Sequence, residues 1–389
     1  MNSSEKSLSD SYSEVLAMET NKDVKGLIEI IKNSRKKLVI RKAVWALGRI
    51  KSPEAVEPLM ELILENPLSS VRLASITSLS EIGSGKPTQL LLHILLSSKD
   101  SLISVEAARA LGKIKDNCVV QPLSLFIHDK NQDLSLREET VEVLGKIATE
   151  EAIHSLIVAL DSELGKKVSD VLKEVGKPAV MPLIAVLSGS NEPIIWEVST
   201  ILGEIRDKRA VKSLVTLLFD GSKDDYKRGY YVATALGMIG DTGAVEPLIE
   251  LASKHAEDQL SARSVGALGD IGDHKAIDAL VAILDDEKTI DCSHLRLETC
   301  WALGKIRDVR AIGSLLRVLE NPRKTTFGLE DAAASALVQL DDDRIELPLL
   351  KYYRGKLNSI ISSGTSAQDE QQGILEGVVK LITRLIDKS

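Results

Sequence analysis

Residues 266–284 read GALGDIGDHKAIDALVAIL, and residues 301–319 read WALGKIRDVRAIGSLLRVL. Both stretches share one frame. An Ala-Leu-Gly triplet is followed by an Ile three residues after the Leu, an Asp two residues later, and an Ala-Ile pair that opens a Leu-rich run. The frame returns from Ala43 as AVWALGRIKSPEAVEPLMELI and from Ala233 as ATALGMIGDTGAVEPLIELA. Taking the central Leu as an anchor places ten copies along the chain. The anchors are Leu47, Leu79, Leu111, Leu144, Leu172, Leu202, Leu236, Leu268, Leu303 and Leu337, spaced 28 to 35 residues apart.

Fixed offsets from the anchor keep their chemistry. Three residues after it stand Ile50, Ile82, Ile114, Ile147, Val175, Ile205, Ile239, Ile271, Ile306 and Leu340, all aliphatic. Eight residues before it, Arg228 alone breaks an aliphatic series that includes Val39, Ile103 and Leu295. Each unit reads as two helices. The first ends near the anchor and carries small residues such as Ala43 and Ala46, Ala107 and Ala110, or Ala333 and Ala336, which let helices approach closely. A short turn follows. The second helix spaces its apolar residues at i, i+3 and i+6/i+7, so they share one face. Such a pair cannot bury its own apolar face. Stacked neighbours can, so the repeat predicts a solenoid.

The signature ALGxI(G/R)Dxx-A(V/I)xxL resembles HEAT repeats, of the short type found in phycobilisome bilin lyases. The resemblance covers Val39 to about Tyr353. It implies an all-α fold, a right-handed α-solenoid of ten to eleven HEAT-like helix pairs. The expected boundaries are a degenerate N-terminal capping repeat over 1–33, ten repeats over 34–353, a polar linker over 354–373 and a C-terminal capping helix over 374–389. In the first of these, Val15 falls at the anchor and Leu27 on the second helix. In the last, Leu375, Val378, Val379, Ile382, Leu385 and Ile386 form one apolar stripe.

Composition narrows the function. Aromatics make up only 3% of the 389 residues, so the interior is built from Leu, Ile, Val and Ala. The net charge of −8 argues against bulk attraction to DNA or RNA, which a basic face usually drives. Three Cys (Cys118, Cys292, Cys300) are too few and too irregular for a disulfide framework. The N-terminus lacks the apolar run of a secretory signal, and no uninterrupted apolar stretch of about 18 residues exists. A cytoplasmic protein with free thiols and no membrane contact is the expectation.

The sequence offers little chemistry. HEAT-repeat deoxyhypusine hydroxylases hold two irons through His-Glu dipeptides, and none of the six His here precedes a Glu. Cys292, His294, Glu298 and Cys300, with His274 from the preceding repeat, are the nearest approach to a metal set. They lack the paired ligand spacing of zinc sites, and Cys300 sits where other repeats have a core Ala. No nucleophile motif or phosphate-binding loop is present. Asp241 and Asp273, in recurring Gly-Asp turns, read as caps for the helix that follows. The expectation is no catalytic residue, no cofactor and no metal.

In HEAT-type solenoids the second helices line the concave side. Their solvent positions fall ten and fourteen residues after the anchor, one turn apart. From these rows the candidate partner-binding residues are Glu57, Glu61, His93, Gln121, Leu125, His154, Val158, Met181, Lys212 and Arg317, with Met181 matched one position early because the turn of repeat five is short. The surface starts acidic, becomes apolar through Leu125, Val158 and Met181, and turns basic near Lys208, Arg209 and Lys212. A varied groove suits an extended protein partner better than a polyanion. The leading expectation is therefore a non-catalytic scaffold binding a protein. Two alternatives stay open: a bilin-lyase-like or other HEAT-repeat enzyme component of lyase or oxidoreductase type, and nucleic-acid binding through the basic residues of repeats six to nine.

Overall fold

A computed structural model of the chain describes residues 3–188, 192–219, 226–254, 259–286, 289, 293–320, 328–340 and 342–363. Among the described residues there are twenty-two α-helices, joined by short loops and single 3-10 turns, and no strand. The chain divides into two compact units, Met1–Pro182 and Leu183–Ser389.

The first unit alternates first and second helices of successive repeats. They are α1 (Ser3–Thr20) with α2 (Val24–Asn33), α3 (Lys37–Ile50) with α4 (Val56–Glu65), and α5 (Ser69–Ile82) with α6 (Thr88–Ser97). Then come α7 (Ser101–Ile114) with α8 (Val120–His128), α9 (Leu134–Ile147) with α10 (Glu150–Val158), and α11 (Gly165–Val175) with α12 (Val180–Leu187), within which the division falls. The second unit continues with α13 (Glu192–Ile205) and α14 (Val211–Phe219), α15 (Tyr226–Ile239) and α16 (Val245–Lys254), and α17 (Gln259–Ile271) and α18 (Ile277–Asp285). It ends with α19 (Ser293–Ile306) and α20 (Ile312–Glu320), and α21 (Leu329–Gln339) and α22 (Glu346–Ser363). Each unit is an all-α solenoid of stacked pairs.

Every anchor Leu is at most 1% exposed. Burying each contributes about 1.5–3 kcal/mol, so the anchors form the spine of the core. The glycine after the anchor has a different task. A Cβ added at Gly203 would lie 2.8 Å from Ala235 Cα; at Gly237, 2.9 Å from Ala267 Cα; at Gly269, 2.7 Å from Ala302 Cα; at Gly304, 2.9 Å from Ala336 Cα. Consecutive first helices therefore touch backbone to backbone along a glycine–alanine seam. Gly48 plays the same part against Ser78 in the first unit.

The turn between helices is also built by rule. The residue four after the anchor adopts a left-handed conformation: Lys51, Gly83, Lys115, Ala148, Gly176, Arg206, Gly240, Gly272 and Arg307 all have positive φ. This stops the first helix, as a C-terminal left-handed cap does. One residue on, the side chains of Asp116, Asp207, Asp241, Asp273, Asp308 and Asp342 each accept a bond from the backbone N–H two residues ahead. Each of these bonds opens a 3-10 turn that leads into the second helix. The capping role read for Asp241 and Asp273 is what the backbone shows.

Three expectations need revision. The aliphatic row three after the anchor is not deeply buried: Ile147, Ile306 and Leu340 are, but Ile50, Ile82, Ile114, Ile205, Ile239 and Ile271 are half-buried. These residues sit in the last helical turn, beside the left-handed cap, where a neighbour covers one side only. The polar linker expected over 354–373 does not begin at 354, because α22 runs on to Ser363. Apart from Gly355, the stretch KYYRGKLNSIISS has no residue that breaks a helix. The degenerate first helix, which the sequence pattern suggests only over 8–18, runs from Ser3 to Thr20 as α1. Val15 and Leu27 are buried in it at 3% and 0%. The C-terminal helix read over 374–389 lies outside the described residues.

Candidate interaction surface

The second helices bury one stripe and expose another. In α4, Val56, Leu59 and Ile63 are buried; in α8, Val120, Leu123 and Ile127. The two rows ten and fourteen after the anchor fall on the opposite face. All ten predicted residues are exposed: Glu57, Glu61, His93, Gln121, Leu125, His154, Val158, Met181, Lys212 and Arg317.

Their surroundings differ along the chain. Glu57 Oε1 pairs with Lys86 Nζ at 3.2 Å and Glu61 with Lys32 at 3.8 Å, so the acidic start of the rows is partly neutralised by neighbouring repeats. His93 Nε2 lies 3.3 Å from Ser97 Oγ, one turn along α6. In the first unit, Leu125, Val158 and Met181 stand on the successive second helices α8, α10 and α12. They are 71%, 54% and 55% exposed. No structural need accounts for these three: their helices already bury a full apolar stripe without them.

Lys212 and Arg317 belong to the second unit. Arg317 is bound to Asp285 and to Ser314 Oγ. Three other described cations of repeats six to nine are similarly engaged. Arg209 grips Asp207 through both Nε and Nη2, Arg310 grips Asp308 and also Asp278, and Lys305 reaches Asp270 at 2.7 Å. Within the basic run, Arg209 and Arg310 belong to Asp-x-Arg caps, and Arg310 and Arg317 also form inter-repeat pairs. Asp308 illustrates the electrostatics. The Arg310 guanidinium, its backbone N–H and the His274 ring hold the carboxyl well below the usual carboxylate range.

Of the residues weighed for metal binding, His274, His294, Glu298 and Cys300 are described, and they form no metal-holding group. His274 Nδ1 lies 2.9 Å from Asp308 Oδ2. Cys300 is fully buried, and desolvation pushes its thiol up to about 12. His294 is exposed, and Cys292 lies outside the described residues. No group of three or more His, Cys, Asp or Glu among the described residues is placed to hold a metal ion. No described helix is long and apolar enough to cross a membrane.

One surface went unread in the sequence. Trp196, Tyr230 and Trp301 are 41%, 40% and 46% exposed on the outer side of first helices α13, α15 and α19. The signal was there. The chain has only twelve Trp, Tyr and Phe, and these three fall six or two residues before an anchor, where helix geometry places solvent.

Comparison with known proteins agrees with the repeat geometry. The family model for HEAT repeats matches residues 24–104, 88–170 and 218–294, more than half of the chain. Among solved structures, the karyopherin Kap121p bound to the extreme C-terminus of the protein phosphatase Cdc14p is similar, with a TM-score of 0.55 and 12% identity over 94% of this chain and 46% of that one. Kap121p bound to Pho4p gives 0.56 and 12%, over 95% and 46%. The chain thus spans about half the length of the solved structures it matches. Human deoxyhypusine hydroxylase is 18% identical over 66% of this chain and 99% of its own, with a TM-score of only 0.30. No curated protein sequence matches. At these identities the structures speak for the fold alone. With the buried anchors, the glycine seam and the family match, the chain belongs to the HEAT-repeat proteins.

Proposed function

We propose that the protein is a non-catalytic scaffold that binds a protein partner along the exposed rows of its second helices. The observation that carries this is the exposure of Leu125, Val158 and Met181 on three consecutive second helices. Contiguous apolar surface of this kind marks an interaction site more often than an idle one. Flanking polar residues Glu57, Glu61, His93, Gln121 and His154 would supply the orienting rim. Lys212 and Arg317 occupy the corresponding exposed positions on second helices of the second unit. The similar Kap121p structures hold segments of other proteins, which supports a protein ligand. The short, bilin-lyase-like repeat type rests on the ALGxI signature alone.

The test uses the full-length tagged chain. Wild type and a Leu125→Asp, Val158→Asp, Met181→Asp triple variant are purified from their native cells, and bound proteins are identified by mass spectrometry. All three side chains are exposed, so matched circular dichroism should show the fold intact. Proteins recovered with wild type and lost from the variant support the reading. Identical recovery from both overturns it.

A further inference from the structure

The second unit carries another surface, on the opposite set of helices. Because Gly203 and Gly237 let α13, α15 and α17 approach backbone to backbone, their outward side chains also meet. The Trp196 ring lies 5.3 Å from that of Tyr231, at an interplanar angle of 33°. Tyr231 in turn meets Tyr230 edge-on at 5.7 Å. Arg263, from the next repeat, places its guanidinium 5.6 Å from the Tyr230 ring and donates Nε–H to Thr234 Oγ1 at 2.7 Å. Trp301 stands further along the same side, on α19. Four rings out of twelve in the chain thus lie on one side of four consecutive first helices.

Trp, Tyr and Arg are the residues that most often dominate binding energy at protein interfaces. Here they are held against one another in advance, so little side-chain entropy is lost when a partner arrives. Leaving Trp196, Tyr230 and Trp301 half-exposed forgoes burial energy that large rings could supply. Charge identifies the partner. Glu197 follows Trp196 on α13, and Glu298 lies one turn before Trp301 on α19. Neither makes an ion pair among the described residues. Glu298 folds over Gly266, where an added Cβ would meet its Oε2 at 3.2 Å. The rings present negative faces, and the patch is bounded at both ends by carboxylates. Arg263 over Tyr230 shows how a guanidinium sits on this surface.

We propose that the outer side of α13, α15, α17 and α19 docks an arginine- and lysine-bearing segment of a partner protein. Its cations would stack on Trp196 and Trp301, as Arg263 already does on Tyr230, and pair with Glu197 and Glu298. A polyanion would be repelled by the same carboxylates. This site is independent of the second-helix rows proposed above and survives if that reading fails.

Tryptophan fluorescence tests it, since two of the three Trp lie in the patch. The full chain is titrated with an acetylated peptide of alternating glycine and arginine, with its glycine–glutamate counterpart, and with an oligothymidylate. Saturable quenching by the arginine peptide alone is expected. Calorimetry should show its affinity falling about fivefold or more in Trp196→Ala and in Trp301→Ala, as loss of a cation–π contact implies. A Glu197→Gln, Glu298→Gln double variant keeps the rings and should weaken binding similarly, while Trp45→Phe, in the other unit, should not. No binding by the arginine peptide overturns the proposal. So does equal affinity in all variants, which would mean only general attraction to an acidic protein, or tighter binding of the oligothymidylate, which would mark a base-stacking surface.

Discussion

The glycine seam makes a sharp prediction. Gly269 lies inside the last turn of α17, where Ala should be favoured by up to about 1 kcal/mol on propensity alone. The structure says otherwise. An Ala methyl at 269 would sit 2.7 Å from Ala302 Cα and 2.9 Å from its Cβ, with Lys305 Cδ at 3.5 Å. Ordinary carbon–carbon contact needs about 3.5–4 Å, so α17 and α19 must part by roughly 1 Å. Neither close neighbour is the end of a flexible chain that could swing away. Overpacking costs ~1–3 kcal/mol and more when backbone must move, so a net loss of about 2 kcal/mol is expected for Gly269→Ala.

Two other glycines of the same unit serve as controls. Gly272 has φ +74 and open space around its Cβ position. Gly272→Ala should cost ~1–2 kcal/mol through the left-handed backbone alone, and Gly272→Asn less, since Asn tolerates that conformation. At 269 the order must invert, with Asn worse than Ala. Gly313 is exposed in α20 with nothing near, so Gly313→Ala should stabilise by up to ~1 kcal/mol. Adding Ala302→Gly to Gly269→Ala removes the 2.9 Å contact but not the 2.7 Å one, so it should recover only part of the loss. Urea titrations followed by circular dichroism, with all variants compared at one wavelength, give the ranking. If Gly269→Ala is as harmless as Gly313→Ala, or Ala302→Gly rescues it fully, the close approach is not what selects glycine.

Truncating Leu236, which is fully buried, should cost ~2–5 kcal/mol; Ile239→Ala, half-buried in the last turn, should cost about half as much, and exposed Glu246→Ala within ~0.5 kcal/mol by the same titrations. Asp308→Asn keeps a capping oxygen but removes the charge that pairs with Arg310, and should lose ~0.2–1 kcal/mol at neutral pH. The folded carboxyl is held below its unfolded value chiefly by the Arg310 guanidinium, so this contribution is complete above the unfolded value near ~4 and is lost as pH falls from there through the lower folded value; the gap between wild type and variant in thermal melts should close over that acid range. With its thiol fully buried and pushed up to about 12, Cys300 should resist iodoacetamide in the native chain while exposed Cys118 is alkylated, with peptide mapping distinguishing the two; Cys300 should react once urea is added.

The parts of the fold legible in the sequence are those set by local rules that repeat. An anchor Leu has to be buried in every copy, the glycine after it has to be small, and the Asp five residues on has to cap a turn. Each rule leaves the same residue at the same offset. The exposure of Glu57, Leu125 or Lys212 followed from helix periodicity once the buried stripe was fixed. Depth was harder to read. Ile239 and Ile82 look like core residues by type, and only the position of the left-handed cap one residue later shows that they close a helix end. Charge misled in the same way. Arg209 and Arg310 read as a basic run, although each stands two residues after the Asp it neutralises.

The aromatic side of the second unit was hidden for a different reason. Trp196, Tyr231, Arg263 and Trp301 lie thirty or more residues apart, one per repeat, and nothing local to any of them marks a site. Trp196, Tyr231 and, through Tyr230, Arg263 meet only because the first helices are drawn together, and that closeness is a property of Gly203 and Gly237. The same seam that sets the repeat's packing therefore also sets the spacing of what the repeat displays. A larger residue in the seam would do more than destabilise the stack. Widening the gap between α13 and α15 by roughly 1 Å would loosen the 5.3 Å contact between Trp196 and Tyr231, since dispersion falls off steeply over that range. In this protein the smallest side chains govern the arrangement of the largest.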